Sequence, residues 1–403
     1  MTEATPCLRK SRRWALAAAL LAAAPGAPPA RAPVASVVSG FVFDDANANG
    51  TREPGERGLA GVAVSNQADV VVTDTDGHFE LPSAGTGVVF VSVPDGRRAV
   101  GAFWRAAAAG GSPVNFPLAP VPRRTEFTFV HASDTHIDAQ SVGRTRVVKA
   151  LVDSLKPAFV IVTGDLVRDA LRVPESTAGP LYEMVAREFG AFTVPVHTVP
   201  GNHELFGIER HLSMVPRTHP LYARGMYRSF FGPDYYSFDA GGIHFVGLNS
   251  VDHDDLWYYG HVDSLQLAWL AKDVGRLPAG TPVVTFNHIP FASAGIGLDG
   301  FTEDPPAPTL IRIRGRNQYR HVVSNVDSVL AALGAARLEI ALGGHLHVAE
   351  AVLYPTSKGP LRFHQTAAVV GPAQIAGRVA PSGVTVYRVK DGRVDDGTFI
   401  PLP

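Results

Sequence analysis

The sequence has 403 residues, of which 46% are hydrophobic and 18% are charged. This length suits one large or two ordinary globular domains with ample apolar surface for buried cores. The formal net charge is -1 and the pI is about 7.0, so no overall field favours binding to nucleic acid or to an anionic membrane.

Residues 1–32 have the pattern of an export signal. A cationic head (Arg9–Arg13) precedes an apolar run (Trp14–Ala24), and Ala30–Ala32 offers the small residues that a signal peptidase prefers. The apolar run is too short for a permanent anchor, so we expect a periplasmic or secreted protein without a transmembrane segment. The arginine pair in the head leaves the twin-arginine and the general secretory routes equally open.

The single cysteine, Cys7, lies before the apolar run, and signal cleavage would remove it. The mature chain then has no thiol, and therefore no disulfide and no cysteine ligand for a metal. Any metal site must use oxygen and nitrogen atoms.

Residues 36–104 have the pattern of a small all-β sandwich module, because β-rich runs alternate with turn clusters and helical periodicity is absent. The β-rich runs are Ser39–Phe43, Val62–Ser65, Val70–Thr73 and Val88–Val93. Residues 105–125, with an alanine run, a glycine pair and several prolines, have the composition of a linker.

The first turn of this module fits the twelve-position calcium loop, with a glycine for the sharp turn and a glutamate at the last position. The five candidate calcium ligands are Asp45, Asn47, Asn49, Thr51 and Glu56. The stretch resembles β-sandwich modules of the surface-protein B-repeat or carboxypeptidase-regulatory type, and the B-repeat resemblance implies calcium. The alternative is an Asn/Gly-rich turn without an ion, because a strand-like run rather than a helix precedes the loop.

Residues 126–403 alternate between short apolar runs and amphipathic stretches, which predicts an α/β layered fold with largely buried sheets. The predicted strands are Phe127–Ala132, Ala158–Val162, Val196–Val199, Ile243–Leu248, Val283–Phe286 and Leu338–Leu342. The predicted helices are 142–155, 179–190, 263–275 and 325–335.

Polar blocks follow five of these strands, at the end where ligands bind in layered α/β folds. The blocks are Asp134-Thr135-His136, Gly164-Asp165, Gly201-Asn202-His203-Glu204, Asn287-His288 and Gly344-His345-Leu346-His347. A single block is weak evidence, because Asp-x-His or Gly-Asp after a strand is more often a turn or a cap. Together, their carboxylate, imidazole and amide groups predict a site for hard or borderline metal ions.

The ordered blocks resemble those of the calcineurin-like metallophosphoesterases, over residues 126–403 and with no block missing. The resemblance implies a two-sheet sandwich flanked by helices and two metal ions that share one carboxylate. It assigns Asp134, His136, Asp165 and His347 to one ion, and Asp165, Asn202, His288 and His345 to the other. His203 lies beside a ligand, and we expect it to protonate the leaving oxygen or to bind the phosphate.

The resemblance implies an exported hydrolase of small-molecule phosphate esters. Two divalent ions (Mn, Fe or Zn) would lower the pKa of a bridging water, and the hydroxide would attack phosphorus. The Ser133–Ile137 stretch is similar to the phosphodiesterase branch, with a phosphomonoesterase or nucleotidase as the alternative. Arg168 stands where purple acid phosphatases have tyrosine, which disfavours an iron–tyrosinate site. A non-catalytic surface-binding protein is a remote alternative, since degenerate scaffolds usually lose a ligand; the oligomeric state stays open.

Two insertions, 205–230 and 291–321, are rich in basic residues that suit substrate contacts. The arginines of the second insertion are Arg312, Arg314, Arg316 and Arg320. For any single arginine, a solvated basic face is the favoured interpretation.

Overall fold

The computed structural model describes residues 37–82, 85–106, 111–303, 308–357, 359–375 and 377–403. The predicted signal segment, residues 1–32, lies outside the described residues. Within the described part of the chain, no helix is both long and apolar enough to cross a bilayer.

Eight strands build the described residues of the amino-terminal module. They are β1 (Val37–Asp44), β2 (Ala63–Ser65), β3 (Val70–Val72), β4 (His78–Pro82), β5 (Val88–Val91), β6 (Arg97–Ala99), β7 (Trp104–Ala106) and β8 (Phe116–Pro120). They form two four-stranded sheets, in the orders β4-β1-β8-β6 and β3-β2-β5-β7. Val42 and Leu118 from one sheet share a buried core with Val64 and Val91 from the other, which closes an all-β sandwich as the sequence predicts.

Strand β8 lies inside residues 105–125, whose composition predicts a linker. It pairs in parallel with β1 and antiparallel with β6, and Phe116 and Leu118 are buried in the sandwich core. Proline is unusual in a central strand, so Pro117 disguises this strand in the sequence. The β module therefore continues through Pro120.

The remaining strands and helices form the larger, carboxyl-terminal part. Its strands are β9 (Glu126–Ala132), β10 (Val160–Thr163), β11 (Val196–Val199), β12 (Tyr236–Ala240), β13 (Ile243–Gly247), β14 (Val251–Asp254), β15 (Trp257–Gly260), β16 (Pro282–Phe286), β17 (Leu310–Ile313), β18 (Arg316–Tyr319), β19 (Arg337–Gly343), β20 (Glu350–Tyr354), β21 (Leu361–Gln365), β22 (Ala373–Ile375), β23 (Arg378–Ala380), β24 (Gly383–Lys390), β25 (Arg393–Val394) and β26 (Thr398–Pro401). Its helices are α1 (Val142–Leu155), α2 (Glu175–Gly190), α3 (Arg210–Ser213), α4 (Arg224–Phe231), α5 (Ser264–Gly275), α6 (Gly295–Asp299) and α7 (Val326–Ala332).

Two six-stranded sheets organise this part. The first has the order β11-β10-β9-β24-β25, with β26 paired to β24, and the second has the order β12-β13-β16-β19-β21-β20. Strands β9, β10 and β11 run parallel to one another, as do β13, β16, β19 and β21. The hairpins β14-β15, β17-β18 and β22-β23 stand apart from both sheets.

Aromatic side chains fill the space between the two sheets. Phe129 of the first sheet meets Phe245 of the second edge-on, with ring centroids 5.8 Å apart. Apolar residues of α1 and α2, such as Val152 and Tyr182, cover the other face of the first sheet, and Trp269 of α5 packs on the second. The predicted fold, a two-sheet sandwich flanked by helices, is confirmed.

Buried polar contacts join the β module to this sandwich. Nε2 of Gln67 donates to Oδ1 of Asp234 (3.1 Å) and to the carbonyl of Tyr235 (3.0 Å). Nε1 of Trp269 donates to Oγ of Ser65 (3.0 Å). The described residues of the module and of the sandwich belong to one compact unit.

Candidate metal centre

Five parallel strands end at the same edge of the sandwich, and a predicted polar block follows each one. Strands β9, β10 and β11 belong to the first sheet, and β16 and β19 belong to the second. The structure brings the eight predicted site residues together at this edge: Asp134, His136, Asp165, Asn202, His203, His288, His345 and His347.

Sharp backbone turns direct these side chains towards one another. Asp134, His136, Asp165, His345 and His347 all have positive φ angles, between 40° and 73°. This left-handed conformation is uncommon for residues other than glycine and costs free energy. Its concentration at one edge indicates a backbone that the surrounding fold holds in place.

The first donor cluster consists of Asp134, His136, Asp165 and His347, whose ligand atoms all lie within 4.8 Å of one another. Nε2 of His347 lies 3.2 Å from Oδ1 of Asp134. Nε2 of His136 lies 3.3 Å from Nε2 of His347 and 3.6 Å from Oδ2 of Asp165. Oδ1 of Asp134 is buried, and its contact with His347 does not have hydrogen-bond geometry, so among the described residues this oxygen is available to a cation.

The second donor cluster consists of Asp165, His288 and His345, with Asn202 beside them. Nε2 of His288 lies 3.2 Å from Oδ2 of Asp165 and 3.1 Å from Oδ1 of Asn202. Nδ1 of His345 lies 3.1 Å from the same nitrogen of His288. Asp165 therefore belongs to both clusters.

These distances fit shared metal ions. Two ligand atoms that each lie about 2.1 Å from one ion are separated by about 3.0–3.5 Å. The closest donor pairs of both clusters fall within or near that range, and their nitrogen and oxygen donors suit divalent Mn, Fe or Zn. The residues present thus fit two divalent ions with Asp165 between them.

Burial and neighbouring charges set the protonation of these groups. Burial lowers the pKa of His136 to about 4 and that of His345 well below its usual value, so both rings are neutral near pH 7. Burial would raise the pKa of Asp165, but the charges of His288 and His203 outweigh it and lower that pKa well below its usual value. Burial would lower the pKa of His288, but Asp165 raises it to about 9, and a metal ion would compete with that proton.

His203 lies at the mouth of the first cluster and is only partly buried. Its backbone N–H donates to Oδ1 of Asp165 (2.9 Å), and its Nδ1–H donates to the carbonyl of Arg168 (2.7 Å). Its Nε2 lies 3.9 Å from Oδ2 of Asp165, and its ring meets that of His136 edge-on at 4.5 Å. The ring is thus held with Nε2 towards the donor clusters.

Two parts of the chain match known protein families. Residues 127–349, more than half of the chain, match the calcineurin-like phosphoesterases. The chain belongs to the calcineurin-like phosphoesterase family. Residues 46–118 match the amino-terminal domain that accompanies this phosphoesterase, so the β module is the family's own companion domain.

Some solved structures are distantly similar to this phosphoesterase. A dimetal phosphatase from Danio rerio is 15% identical with a TM-score of 0.41, and the match covers 69% of this chain and 99% of that one. GAP50, the anchor in the inner membrane complex of Plasmodium, is 13% identical with a TM-score of 0.44, and the match covers 69% of this chain and 85% of that one. A comparison with curated protein sequences finds no match.

Glu204 has a structural role in this phosphoesterase that its place in the Gly-Asn-His-Glu block did not reveal. Its buried Oε1 accepts hydrogen bonds from the backbone of Leu166 (2.8 Å) and Val167 (3.0 Å). Its Oε2 accepts from the backbone of Gly201 (2.6 Å). Glu204 therefore ties the loop after β10, which carries Asp165, to the loop after β11.

His321 is a site residue that sequence reasoning missed. Its Nδ1 lies 2.6 Å from Nε2 of His345, and the two rings stack with centroids 4.9 Å apart. With Nδ1 of His345 facing the second cluster, Nε2–H of His345 donates to His321, which fixes the ring's orientation. No strand-end motif surrounds His321. Its position beside Arg320 in the second insertion is the only sequence feature that could have drawn attention to it.

In the predicted calcium loop of the phosphoesterase's β module, side-chain oxygens accept hydrogen bonds from the backbone of the loop itself. The two carboxylate oxygens of Asp45 accept from the backbone of Asn49 (3.1 Å) and Gly50 (2.8 Å). Oδ1 of Asn47 also accepts from the backbone of Asn49 (3.0 Å), and Oδ1 of Asn49 accepts from the backbone of Thr51 (2.8 Å). These contacts are those of side chains that stabilise a turn.

The acidic end of this loop differs from the predicted ligand set. The carboxylate of Glu53, rather than that of Glu56, accepts from the side chains of Asn47 (2.9 Å) and Asn49 (3.1 Å). Oε2 of Glu56 accepts from the backbone of Glu53 (2.9 Å). Within the described residues, the loop is not among the groups of carboxylates and imidazoles close enough to hold a metal.

Proposed function

We propose that this chain is a phosphodiesterase that hydrolyses small-molecule phosphate diesters at the metal centre. One observation carries the proposal: Oδ2 of Asp165 lies between the clusters, 3.6 Å from Nε2 of His136 and 3.2 Å from Nε2 of His288. Two divalent cations held by these clusters would supply positive charge to the phosphoryl oxygens and lower the pKa of a bound water molecule.

His203 is the residue that we assign to proton transfer. Its Nδ1–H is used by the carbonyl of Arg168, so Nε2 is the nitrogen that faces the clusters. In the imidazolium form, Nε2 carries a proton that it can give to the leaving oxygen of the ester. Its backbone N–H holds Oδ1 of Asp165, which leaves Oδ2 directed towards the imidazoles.

Two features support a diester rather than a monoester. The Ser133–Ile137 stretch is similar to the phosphodiesterase branch. The guanidinium of Arg168, three residues after Asp165, lies 3.9 Å from the carboxylate of Asp138, so part of its charge is already matched before the second charge of a monoester arrives. A phosphomonoesterase or nucleotidase remains the alternative function.

A pair of chromogenic substrates tests this function. Mature protein is reconstituted separately with Mn, Zn and Fe and assayed on bis(p-nitrophenyl) phosphate and p-nitrophenyl phosphate, with Asp165→Asn as the inactive control. We expect a higher kcat/KM for the diester. Faster hydrolysis of the monoester would establish the alternative, and metal-loaded protein that cleaves neither ester would favour a binding role.

We also propose that the protein is exported, on the pattern of its residues 9–32. Amino-terminal sequencing of extracytoplasmic protein should find a chain that begins at Pro33. Changing Arg12 and Arg13 to lysine should block export on the twin-arginine route and spare it on the general route. Wild-type protein that stays uncleaved in the cytoplasm would contradict the proposal.

A further inference from the structure

Arg320 has a buried guanidinium that no carboxylate neutralises among the described residues. It directly follows β18 and is only 8% exposed. Its NH1 donates to the carbonyl of Pro308 (3.1 Å), whereas its Nε is buried and has no acceptor within the described part of the chain. Removing a cation from water without a counter-charge is unfavourable, so a group of this kind indicates an anion that arrives from outside.

The other arginines of the two insertions either pair with a carboxylate or are exposed. In the insertion 205–230, Arg224 and Arg228 lie 3.9 Å and 2.8 Å from carboxylate oxygens of Asp234. Three arginines of the second insertion are exposed: Arg312, Arg314 and Arg316. The interpretation as a solvated basic face is therefore right for those three and wrong for Arg320.

Ring contacts place Arg320 beside the metal centre. Its Cζ lies 4.2 Å from the ring centroid of Tyr258 and 5.3 Å from that of Trp257. The ring of Tyr258 in turn meets that of His345 edge-on, with centroids 6.1 Å apart. The next residue, His321, contacts His345 directly. Arg320 is thus one aromatic ring away from a predicted metal ligand.

Backbone hydrogen bonds fix the segment that carries Arg320. The N–H of Val323 donates to the carbonyl of Pro290, two residues after the predicted ligand His288 (2.9 Å). The N–H of Ser324 donates to the carbonyl of Gly260 at the end of β15 (2.8 Å). These bonds fix the backbone after Arg320, and the bond from NH1 to Pro308 holds the guanidinium, which reduces the entropy lost on binding.

We propose that Arg320 binds a second anionic group of the substrate, a phosphate that is distal to the ester being cleaved. This inference rests on the proposed function. Guanidinium pairs with phosphate through charge-assisted and often bidentate hydrogen bonds, and such an anion would compensate the buried charge. Because Tyr258 separates Arg320 from His345, this position suits a distal group rather than the reacting phosphoryl group.

Two esters that differ only in a distal phosphate test the proposal. The first is thymidine 5′-(p-nitrophenyl phosphate), and the second is the same diester with a phosphate on the 3′ oxygen. With wild-type protein, we expect a KM on the order of tenfold lower for the second ester. Arg320→Gln should bring the two KM values together. Arg316→Gln, which changes an exposed arginine of the same hairpin, should keep the difference.

The outcomes separate this subsite from the proposed function. Equal KM values for the two esters in the wild type would overturn the subsite and leave hydrolysis of diesters intact. Failure of the metal-loaded wild type to cleave either ester would overturn the proposed function itself. An equal rise in both KM values in Arg320→Gln would assign Arg320 a structural role only. If Arg320→Gln does not fold, the KM values of the two esters in the wild type and in Arg320→Lys still decide whether the subsite exists.

Discussion

Two regions of the molecule have the sequence pattern of metal ligands, and they differ in what their donor atoms contact. At the edge around Asp165, imidazole and carboxylate groups from several strands face one another, and Oδ1 of Asp134 accepts no hydrogen bond from the described residues. In the Asp45–Glu56 loop, side-chain oxygens accept hydrogen bonds from the backbone of the loop itself.

The difference follows from the distance along the chain between the ligands. Residues within one short loop can satisfy their own backbone, so a regular spacing of Asp and Asn serves a turn as well as an ion. Residues from strands far apart in sequence have no local backbone of that kind within reach. Convergence of such residues on one place is therefore the stronger evidence for a metal.

The largest expected effect comes from removing the carboxylate that both clusters share. Asp165→Asn should lower kcat/KM by about a thousandfold or more and lower the metal content below two equivalents, because both clusters lose a charged ligand. Hydrolysis rates and elemental analysis measure the two effects. Asp169→Asn, four residues on, is the matched control. If Asp165→Asn retained two metals and full turnover, the contrast between a metal site at the Asp165 edge and a turn in the Asp45–Glu56 loop would fail.

His203 tests whether the edge contains a catalytic group that is not a ligand. His203→Ala should keep both metals and lower kcat by roughly 10²–10⁴-fold, because the leaving oxygen loses its proton donor. Elemental analysis and steady-state kinetics on one sample separate the two properties. Full activity in the metal-loaded variant would remove the assignment.

His244 shows that convergence alone does not make a metal site. Its ring lies between Oδ1 of Asp239 (2.6 Å) and Oδ2 of Asp273 (2.9 Å), so the three groups satisfy one another. Burial would lower the pKa of His244, but the two carboxylates outweigh it and raise the pKa from 6.5 to about 9.

The raised pKa predicts a loss of stability in alkali. The contribution of His244 is fully present below pH 6.5 and is lost as the pH rises towards 9, because the unfolded state releases its proton first. The free energy of unfolding should fall by on the order of 3 kcal/mol across that window, and denaturant titrations measure it. His244→Gln should flatten the dependence. An equally steep decline in that variant would contradict this explanation.

A smaller effect is expected at His321, which touches the second cluster without belonging to it. His321→Ala should weaken metal binding by roughly 10–100-fold, because Nε2–H of His345 loses its acceptor. Metal titration against a competing chelator measures the change. His321→Asn, which keeps an acceptor, should recover part of the affinity, and His211→Ala, an exposed histidine on α3, should leave it unchanged. Equal affinities in all variants would refute the role.

The smallest expected effect concerns the calcium prediction for the Asp45–Glu56 loop. If the loop binds calcium, tenfold excess over Kd should stabilise the full chain by about 1.4 kcal/mol, and Asp45→Ala should abolish that gain. Calorimetric titration and thermal unfolding measure it. Neither heat nor stabilisation at millimolar calcium would leave only a turn, and would sharpen the contrast with the Asp165 edge.

Local patterns in the sequence were sufficient to predict most of the layered fold. The amphipathic stretch 142–155 coincides with α1, and the apolar run Val196–Val199 coincides with β11. Strand β24 was not predicted, and its pairing with β9, more than 250 residues earlier in the chain, leaves no local signal in the sequence. Strand β8 escaped because its prolines resemble a linker.

The candidate site also has residues that the sequence predicts and residues that it does not. Motifs at strand ends predicted the eight residues that meet at the edge, since each motif is local and the topology gathers the strand ends. The contact between His321 and His345 and the burial of Arg320 depend on how an insertion folds back over that edge. Neither feature leaves a periodic or spaced signal, so the sequence alone singles out neither residue.

The buried amide of Gln67 has a consequence for how the chain unfolds. Its hydrogen bonds to Asp234 and Tyr235 reach from the β module into the sandwich, and the indole of Trp269 reaches back to Ser65. Separating the two parts would leave these polar groups without partners and expose the aromatic surface around them. The module and the sandwich should therefore melt in one cooperative transition, so the companion domain acts as part of the enzyme's folding unit.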